Sequence, residues 1–164
     1  MTDMPKKRFP YKTAFVACNG NCRIKRESAC IYGCVGCYSC EMACRFDAIH
    51  VDDRTGVAKV DMDKCMACGM CAKVCPQGII TIREEANYFG VKCSNKDKGA
   101  DARKVCDVSC IGCGMCERTC TAGAIKVKDN VAIIRDELCL NCGMCAVKCP
   151  RHAIHDNRGI LTEK

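Results

Sequence analysis

The sequence predicts an α+β chain built from two tandem copies of one small unit, each made of short β-hairpins and single-turn helices packed around metal-binding loops. Three observations carry that expectation. Of the 164 residues 21 are cysteine, there is no Trp, and Leu occurs only at Leu138, Leu140 and Leu161. A chain this poor in large apolar side chains cannot stabilise a small domain by burial alone, so cross-links or metals must supply the rest. The spacing C-x2-C-x2-C-x3-C recurs four times, and a longer ten-cysteine pattern recurs twice, mapping Cys18, Cys30, Cys34 and Cys65 onto Cys93, Cys106, Cys110 and Cys139. Ten cysteines per copy leave one of the 21 over, Cys22. The chain reads as an internal duplication.

Residues 1–28 form an N-terminal segment. Met1 to Lys12 is basic and holds no apolar secretory core. The odd cysteine count cannot pair completely into disulfides. Together these place the chain in a reducing cytoplasm, where thiolates serve as metal ligands. No apolar run approaches the ~18 residues of a membrane span, so no direct span is expected, and membrane association only through a partner.

The first domain, 29–84, opens with the motif Cys34, Cys37, Cys40, Cys44. One helical turn, Glu41 to Cys44, is followed by a β-rich run at Ala48 to Val51, a turn at Asp52 to Gly56 and a second run at Val57 to Val60. The second motif, Cys65, Cys68, Cys71, Cys75, is closed by Pro76, which ends its helical turn. A strand at Ile79 to Ile82 follows. Residues 85–104, polar and charged around Ser94 to Gly99, read as a linker. The second domain, 105–164, repeats the order: Cys110, Cys113, Cys116, Cys120; strands at Ala124 to Val127 and Val131 to Ile134 about the turn Lys128 to Asn130; Cys139, Cys142, Cys145, Cys149; and a strand at Ala153 to His155.

Three cysteines at i, i+3 and i+6 can wrap one cubane, while the fourth points away. In bacterial two-cluster ferredoxins that fourth cysteine ligates the other cluster. Applied here, the ligand sets are Cys34, Cys37, Cys40 with Cys75; Cys65, Cys68, Cys71 with Cys44; Cys110, Cys113, Cys116 with Cys149; and Cys139, Cys142, Cys145 with Cys120. The cofactors expected are four 4Fe-4S clusters, bound as the chain folds. Zinc is the competing reading, but tetrahedral zinc sites have no use for a third cysteine at i+6.

Gly69, Gly114 and Gly143 follow the second cysteine of their motifs, where a missing Cβ lets backbone approach a cluster; Tyr38 holds that place in the first motif. Met70, Met115 and Met144 read as soft packing, and the three histidines as solvent-facing. The formal charge is +7. Four sites of charge −2 bring it to about −1, so the basic excess reads as an internal counter-charge. With only eight Phe and Tyr to stack bases, nucleic-acid binding is not expected. Gly112-Cys113-Gly114 lacks the third glycine of a dinucleotide loop, and no catalytic site is visible.

Cys30 to Ile82 and Cys106 to Ile160 resemble the bacterial 8Fe ferredoxins. More of the chain is similar to the C-terminal polyferredoxin region of the Rnf electron-transport complex B subunit. That resemblance rests on Cys30-Ile-Tyr-Gly-Cys34-Val-Gly, on Ala43-Cys44-Arg-Phe-Asp-Ala-Ile49, and on Cys93-Ser-Asn-Lys-Asp-Lys-Gly99 leading to Cys106 and Cys110-Ile-Gly-Cys113. It implies two tandem bacterial ferredoxin-like domains that relay single electrons, as a carrier or as the iron-sulfur subunit of an Rnf-like complex. The partners implied are redox proteins: a flavoprotein, a ferredoxin or membrane electron-transport subunits. Many Rnf-type relatives lack a cysteine at the place of Cys37, which makes Cys30 an alternative ligand of the first cluster. Cys18, Cys22, Cys93 and Cys106 remain, as an extra metal site or as small buried hydrophobes. A zinc-bound nucleic-acid module and an iron-sulfur redox sensor are the rival functions.

Overall fold

The computed structural model of the chain describes residues 6–20 and 30–162. Both copies of the repeat fold alike. In the first, strand β1 (Lys12–Val16) lies antiparallel to β4 (Ile80–Glu84), with Lys12 opposite Glu84 and Val16 opposite Ile80. Between them the chain forms α1 (Ser39–Met42), the hairpin of β2 (Ile49–Asp52) and β3 (Val57–Val60), and α2 (Met70–Val74). In the second, β5 (Phe89–Val91) pairs with β8 (Ile154–Asp156) and encloses α4 (Met115–Thr119), the hairpin β6 (Ile125–Lys128) with β7 (Val131–Ile134), and α5 (Met144–Val147). Helix α3 (Gly99–Val105) precedes the third cysteine motif.

The two hairpins fall where the sequence places them, each with its own turn chemistry. At the first, the Asp52 carboxylate accepts the N–H groups of Arg54 (2.8 Å) and Thr55 (3.1 Å), and Gly56 takes φ +68°. Lys59, then those two amides, hold the Asp52 carboxyl down to about 2. At the second, Asp129 and Asn130 both have positive φ, as a two-residue type I′ turn demands.

The strands at Ile80–Glu84 and Ile154–Asp156 pair with β1 and β5, which come from the regions read as N-terminal segment and linker. The stretch 85–104 therefore contributes a strand and a helix. Phe89-Gly90-Val91 is too short, and too embedded in charge, to show the alternation by which strands are recognised; its partner lies more than sixty residues away.

Each half has its own small core. Ala14, Val16, Ala48, Ile49, Val51, Val57, Ala58, Ile79 and Ile80 pack with Cys40, Cys65 and Cys71; Phe89, Ile125, Ala132, Ala146 and Ile154 pack with Cys116 and Cys145. The halves meet at Arg83 of β4. Its Nε donates to Asp136 Oδ2 at 2.9 Å, and its Nη2 to the same carboxylate and to the Phe89 carbonyl at 3.0 Å. The guanidinium carbon lies 4.9 Å from the centre of the Phe15 ring. Gly90 fits against both, where any Cβ would overlap Phe15 and Arg83.

Candidate metal centres

All four cysteine loops share one backbone design. The residue before the second cysteine is left-handed in each: Gly36 (φ +61°), Ala67 (+54°), Gly112 (+62°) and Asn141 (+53°). So is the residue after it: Tyr38 (+60°), Gly69 (+76°), Gly114 (+70°) and Gly143 (+76°). A third left-handed residue follows the fourth cysteine by three: Asp47, Gly78, Gly123 and His152. Left-handed residues set among right-handed ones turn successive N–H groups to one side, making a concavity suited to an anion. Non-glycine residues visit this region rarely, yet five of these twelve positions are not glycine, so the loops hold their shape against local preference.

A Cβ on Gly69 would meet no protein atom within 4 Å, whereas one on Gly143 would overlap Leu161 and Phe89; the positive φ at the entry to the helical turn favours glycine at both. Tyr38 adopts the same conformation, stays partly exposed and places its hydroxyl 3.5 Å from Asp53 Oδ1.

Position within the motif sets exposure. The third cysteines, Cys40, Cys71, Cys116 and Cys145, are all buried, and the second, Cys37, Cys68, Cys113 and Cys142, are all exposed. Three of the four expected ligand sets each line one cavity. Cys34, Cys37, Cys40 and Cys75 line the first, with Val16, Val51 and Ile80; the space between the lining atoms, mouth included, is about 350 Å³. Cys65, Cys68, Cys71 and Cys44 line the second, with Ala14, Ile49 and Met70, about 340 Å³. Cys110, Cys113, Cys116 and Cys149 line the third, with Met115, Ala132 and Arg151, about 360 Å³. Each cavity thus takes three cysteines from one motif and the fourth cysteine of the other. Cys30 is not among the lining residues of the first; Cys37 is. Of the fourth set, Cys139 and Cys142 are electrostatic neighbours of Cys145, and Cys120 packs on the second core, to which Cys145 belongs.

The chemistry of the lining fits an anionic, sulfur-ligated group. Backbone amides already point at the thiols: Ala14 N–H at Cys65 Sγ (3.4 Å), Ala48 at Cys44 (3.3 Å), Ala132 at Cys110 (3.4 Å) and Ala153 at Cys149 (3.3 Å). Burial, followed by neighbouring Cys charges, pushes the thiols of Cys40 and Cys116 up to about 11. Burial likewise takes Cys145 to about 12, against the opposing Ala146 amide and with the charges of Cys139, Cys116 and Cys142 adding to it. Four thiolates gathered in so dry a place require a compensating cation. Cys37 is the exception, held below the usual thiol range by the Ser39 hydroxyl 3.3 Å away and then by the Ser39 amide.

Other expected roles sort as follows. Met70 and Met115 line their cavities, and both are exposed at the rim, as Met144 is on the fourth loop. His50 and His152 are exposed, but His155 is buried in β8 opposite Gly90, contrary to expectation. Cys18, Cys30, Cys93 and Cys106 lie outside the three cavities; Cys22 lies outside the described residues. The sequence offered no signal for Glu41 and Glu117, which occupy the same place in the two copies. Each accepts a strand amide into its carboxylate, Val51 N–H at 2.7 Å and Val127 N–H at 3.0 Å, fixing the helical turn to the hairpin. Among the described residues no helix is long and apolar enough to cross a membrane.

Residues 33–95 and 109–154 each match a 4Fe-4S dicluster domain family. Two dicluster domains give four 4Fe-4S clusters. The B subunit of the Na(+)-translocating ferredoxin:NAD(+) oxidoreductase complex of Acetobacterium woodii is 38% identical over 115 residues, 58% of this chain and 34% of that protein. The B subunit of the proton-translocating ferredoxin:NAD(+) oxidoreductase complex of Clostridium ljungdahlii is 35% identical over 128 residues, 78% of this chain and 45% of that protein. Pyruvate synthase subunit PorD of Thermotoga maritima is 32% identical over 88 residues, 53% of this chain and 81% of PorD. The chain spans less than half the length of either of the two B subunits.

Proposed function

We infer that this chain, which belongs to the 4Fe-4S dicluster ferredoxins and carries two such domains, relays single electrons along its clusters, as a carrier or as the iron-sulfur subunit of an Rnf-like oxidoreductase complex. One observation supports this above the others: each cavity is lined by three cysteines of one motif and the fourth of its partner. A cluster so held locks two loops together, so loading and folding of each half are one event. When bound, the clusters supply one-electron chemistry.

The chain does the rest. The proposed ligands are the sixteen cysteines of the four sets, with Cys37 rather than Cys30 in the first, because Cys37 borders that cavity. Buried third cysteines and apolar lining exclude water, backbone N–H groups stabilise the thiolates, and the exposed second cysteines mark the edges nearest a partner. Hydrogen bonds to cluster sulfur and burial set the potentials. Residues from β1 to β4 and from β5 to β8 are the proposed domains. A flavoprotein, a ferredoxin or membrane-complex subunits are the partner classes that fit.

Anaerobically purified protein is expected to be brown, to bleach with dithionite, and to carry at least about 16 iron atoms per chain, four for each of four clusters. Colourless, zinc-loaded protein would overturn the reading. Cys37→Ser is expected to degrade one cluster, leaving roughly three quarters of the visible absorbance if the clusters absorb alike. Full retention in that variant would refute the choice of Cys37.

A further inference from the structure

Four described cysteines belong to none of the four ligand sets: Cys18 and Cys30 from the first copy of the repeat, Cys93 and Cys106 from the second. They converge at the junction of the halves. Gly33 sits between the first two; a Cβ built on it would lie 3.3 Å from Cys18 Sγ and 3.8 Å from Cys30 Cβ. Cys106 Sγ reaches across to the carbonyl oxygen of Gly20, two residues beyond Cys18, at 3.5 Å. In the mirrored exchange, Ser94, next to Cys93, donates its hydroxyl to the carbonyl of Tyr32, two residues beyond Cys30, at 2.6 Å. Each copy thus leans the loop after its first cysteine on the other copy's second cysteine or its immediate neighbours.

The surroundings have the character of the cavities already described. Cys93 Sγ accepts the Cys110 N–H at 3.2 Å, as the proposed ligands accept theirs. Cys93 lies within electrostatic reach of Cys30 and Cys110. Cys106 is buried. Asn95, two residues from Cys93, is 1% exposed with an amide nitrogen that meets no acceptor. Arg151 donates Nη2 to the Cys106 carbonyl at 2.8 Å, and its buried Nε meets no acceptor. A buried amide donor near Cys93, and a half-buried Arg151 that reaches from the third cavity to the Cys106 carbonyl, suit an anionic centre. Among the described residues no three thiols, imidazoles or carboxylates close on a single ion. That holds for the four motif sets too, as expected where a multinuclear core keeps its ligands apart.

We propose that Cys18, Cys30, Cys93 and Cys106 ligate a fifth 4Fe-4S cluster, shared by the two halves of the chain. Cys30 takes the place in this set that the sequence had offered to Cys22. Loading exchanges four thiol protons for iron-sulfur bonds and assembles two ferrous ions, two ferric ions and four sulfides into a core of charge about +2. The site's position gives it a role, which rests on the relay reading: Gly33 and Cys34 lead from it to the first cavity, and the Cys93 to Cys110 hydrogen bond leads to the third. It bridges the two dicluster domains.

The test is the iron and acid-labile sulfide content of the full chain, loaded anaerobically with ferrous iron, ferric iron and sulfide to saturation. About 20 of each per chain is expected, five four-iron clusters, and about 16 in each of the double variants Cys18→Ser/Cys30→Ser and Cys93→Ser/Cys106→Ser. About 16 in the unaltered chain overturns the proposal, with or without one zinc ion lost in the variants, and leaves the four-cluster relay standing. A zinc-filled, iron-free chain overturns both. The unaltered chain decides the matter even where a double variant fails to fold.

Discussion

Gly36 and Gly112 hold the same place in the first and third cysteine loops, and both press on the neighbouring hairpin turn. A Cβ on Gly36 would stand 2.9 Å from the Gly56 carbonyl oxygen, and one on Gly112 would stand 3.0 Å from the Asn130 carbonyl oxygen and 3.1 Å from its Cα. Those are backbone atoms of tight turns, which cannot swing aside as a side-chain tip would. Gly69 and Gly123 are equally left-handed, at φ +76° and +60°, but a Cβ there meets nothing within 4 Å. Replacing each by alanine separates conformational strain from collision. The left-handed region costs an L-residue about 1–2 kcal/mol, offset by about 0.4–1 kcal/mol through a stiffer unfolded chain. Gly69→Ala and Gly123→Ala should therefore destabilise by roughly 0.5–1 kcal/mol. Overpacking adds about 1–3 kcal/mol, so Gly36→Ala and Gly112→Ala should lose roughly 2–4 kcal/mol. The assay is anaerobic urea unfolding followed by the visible absorbance of the loaded chain. With slopes of about 1–3 kcal/mol per molar urea, the two classes should separate by roughly 1 M in midpoint. Equal midpoints for Gly36→Ala and Gly69→Ala would refute the claim that loop and turn are packed against each other.

Other consequences are as definite. Ser39→Ala removes a hydroxyl 3.3 Å from Cys37 Sγ; since hydrogen bonds to the ligating sulfur favour the reduced state, one of the potentials should move negative in a voltammetric titration, and no movement would remove Ser39 from the first site. Asp136→Asn weakens the half-buried carboxylate that holds Arg83, and about 1–3 kcal/mol should be lost from the contact between the halves, seen as earlier cleavage near residues 85–88 in limited proteolysis; unchanged cleavage would deny that this pair joins them. The Glu117 carboxyl is held below its usual range by Lys126 and then by the Val127 amide. A depressed pKa stabilises above the unfolded value of about 4.3 and is lost as pH falls through the folded one, so Val127 amide protection should persist from pH 7 to about 4.5 and decline below. Earlier loss, near pH 6, would contradict it.

Much of the site was legible in the sequence because ligand spacing is a local property. Three cysteines at i, i+3 and i+6 wrap a loop whatever surrounds it, and the four copies, their division into two longer repeats and the hairpins at Asp52 to Gly56 and Lys128 to Asn130 all follow from neighbours in the chain. The four-loop pattern of left-handed residues is only partly marked in the sequence: glycine holds seven of the twelve positions, but Tyr38, Asp47, Ala67, Asn141 and His152 adopt the same conformation with no sequence mark, because the fold imposes it. Likewise Glu41 and Glu117 look like ordinary surface carboxylates until the Val51 and Val127 amides are seen to end on them.

By itself, then, the sequence determined the cofactor class, the ligand types and the duplicated α+β architecture, since each depends on spacing within a few residues. Only the tertiary structure decided that the first and last strands of each copy pair with each other, that Cys37 and not Cys30 borders the first cavity, and that Cys106 Sγ of one half meets the Gly20 carbonyl of the other. The physical reason is the same in each case. These are contacts between residues far apart in the chain, stabilised by burial that no local pattern encodes.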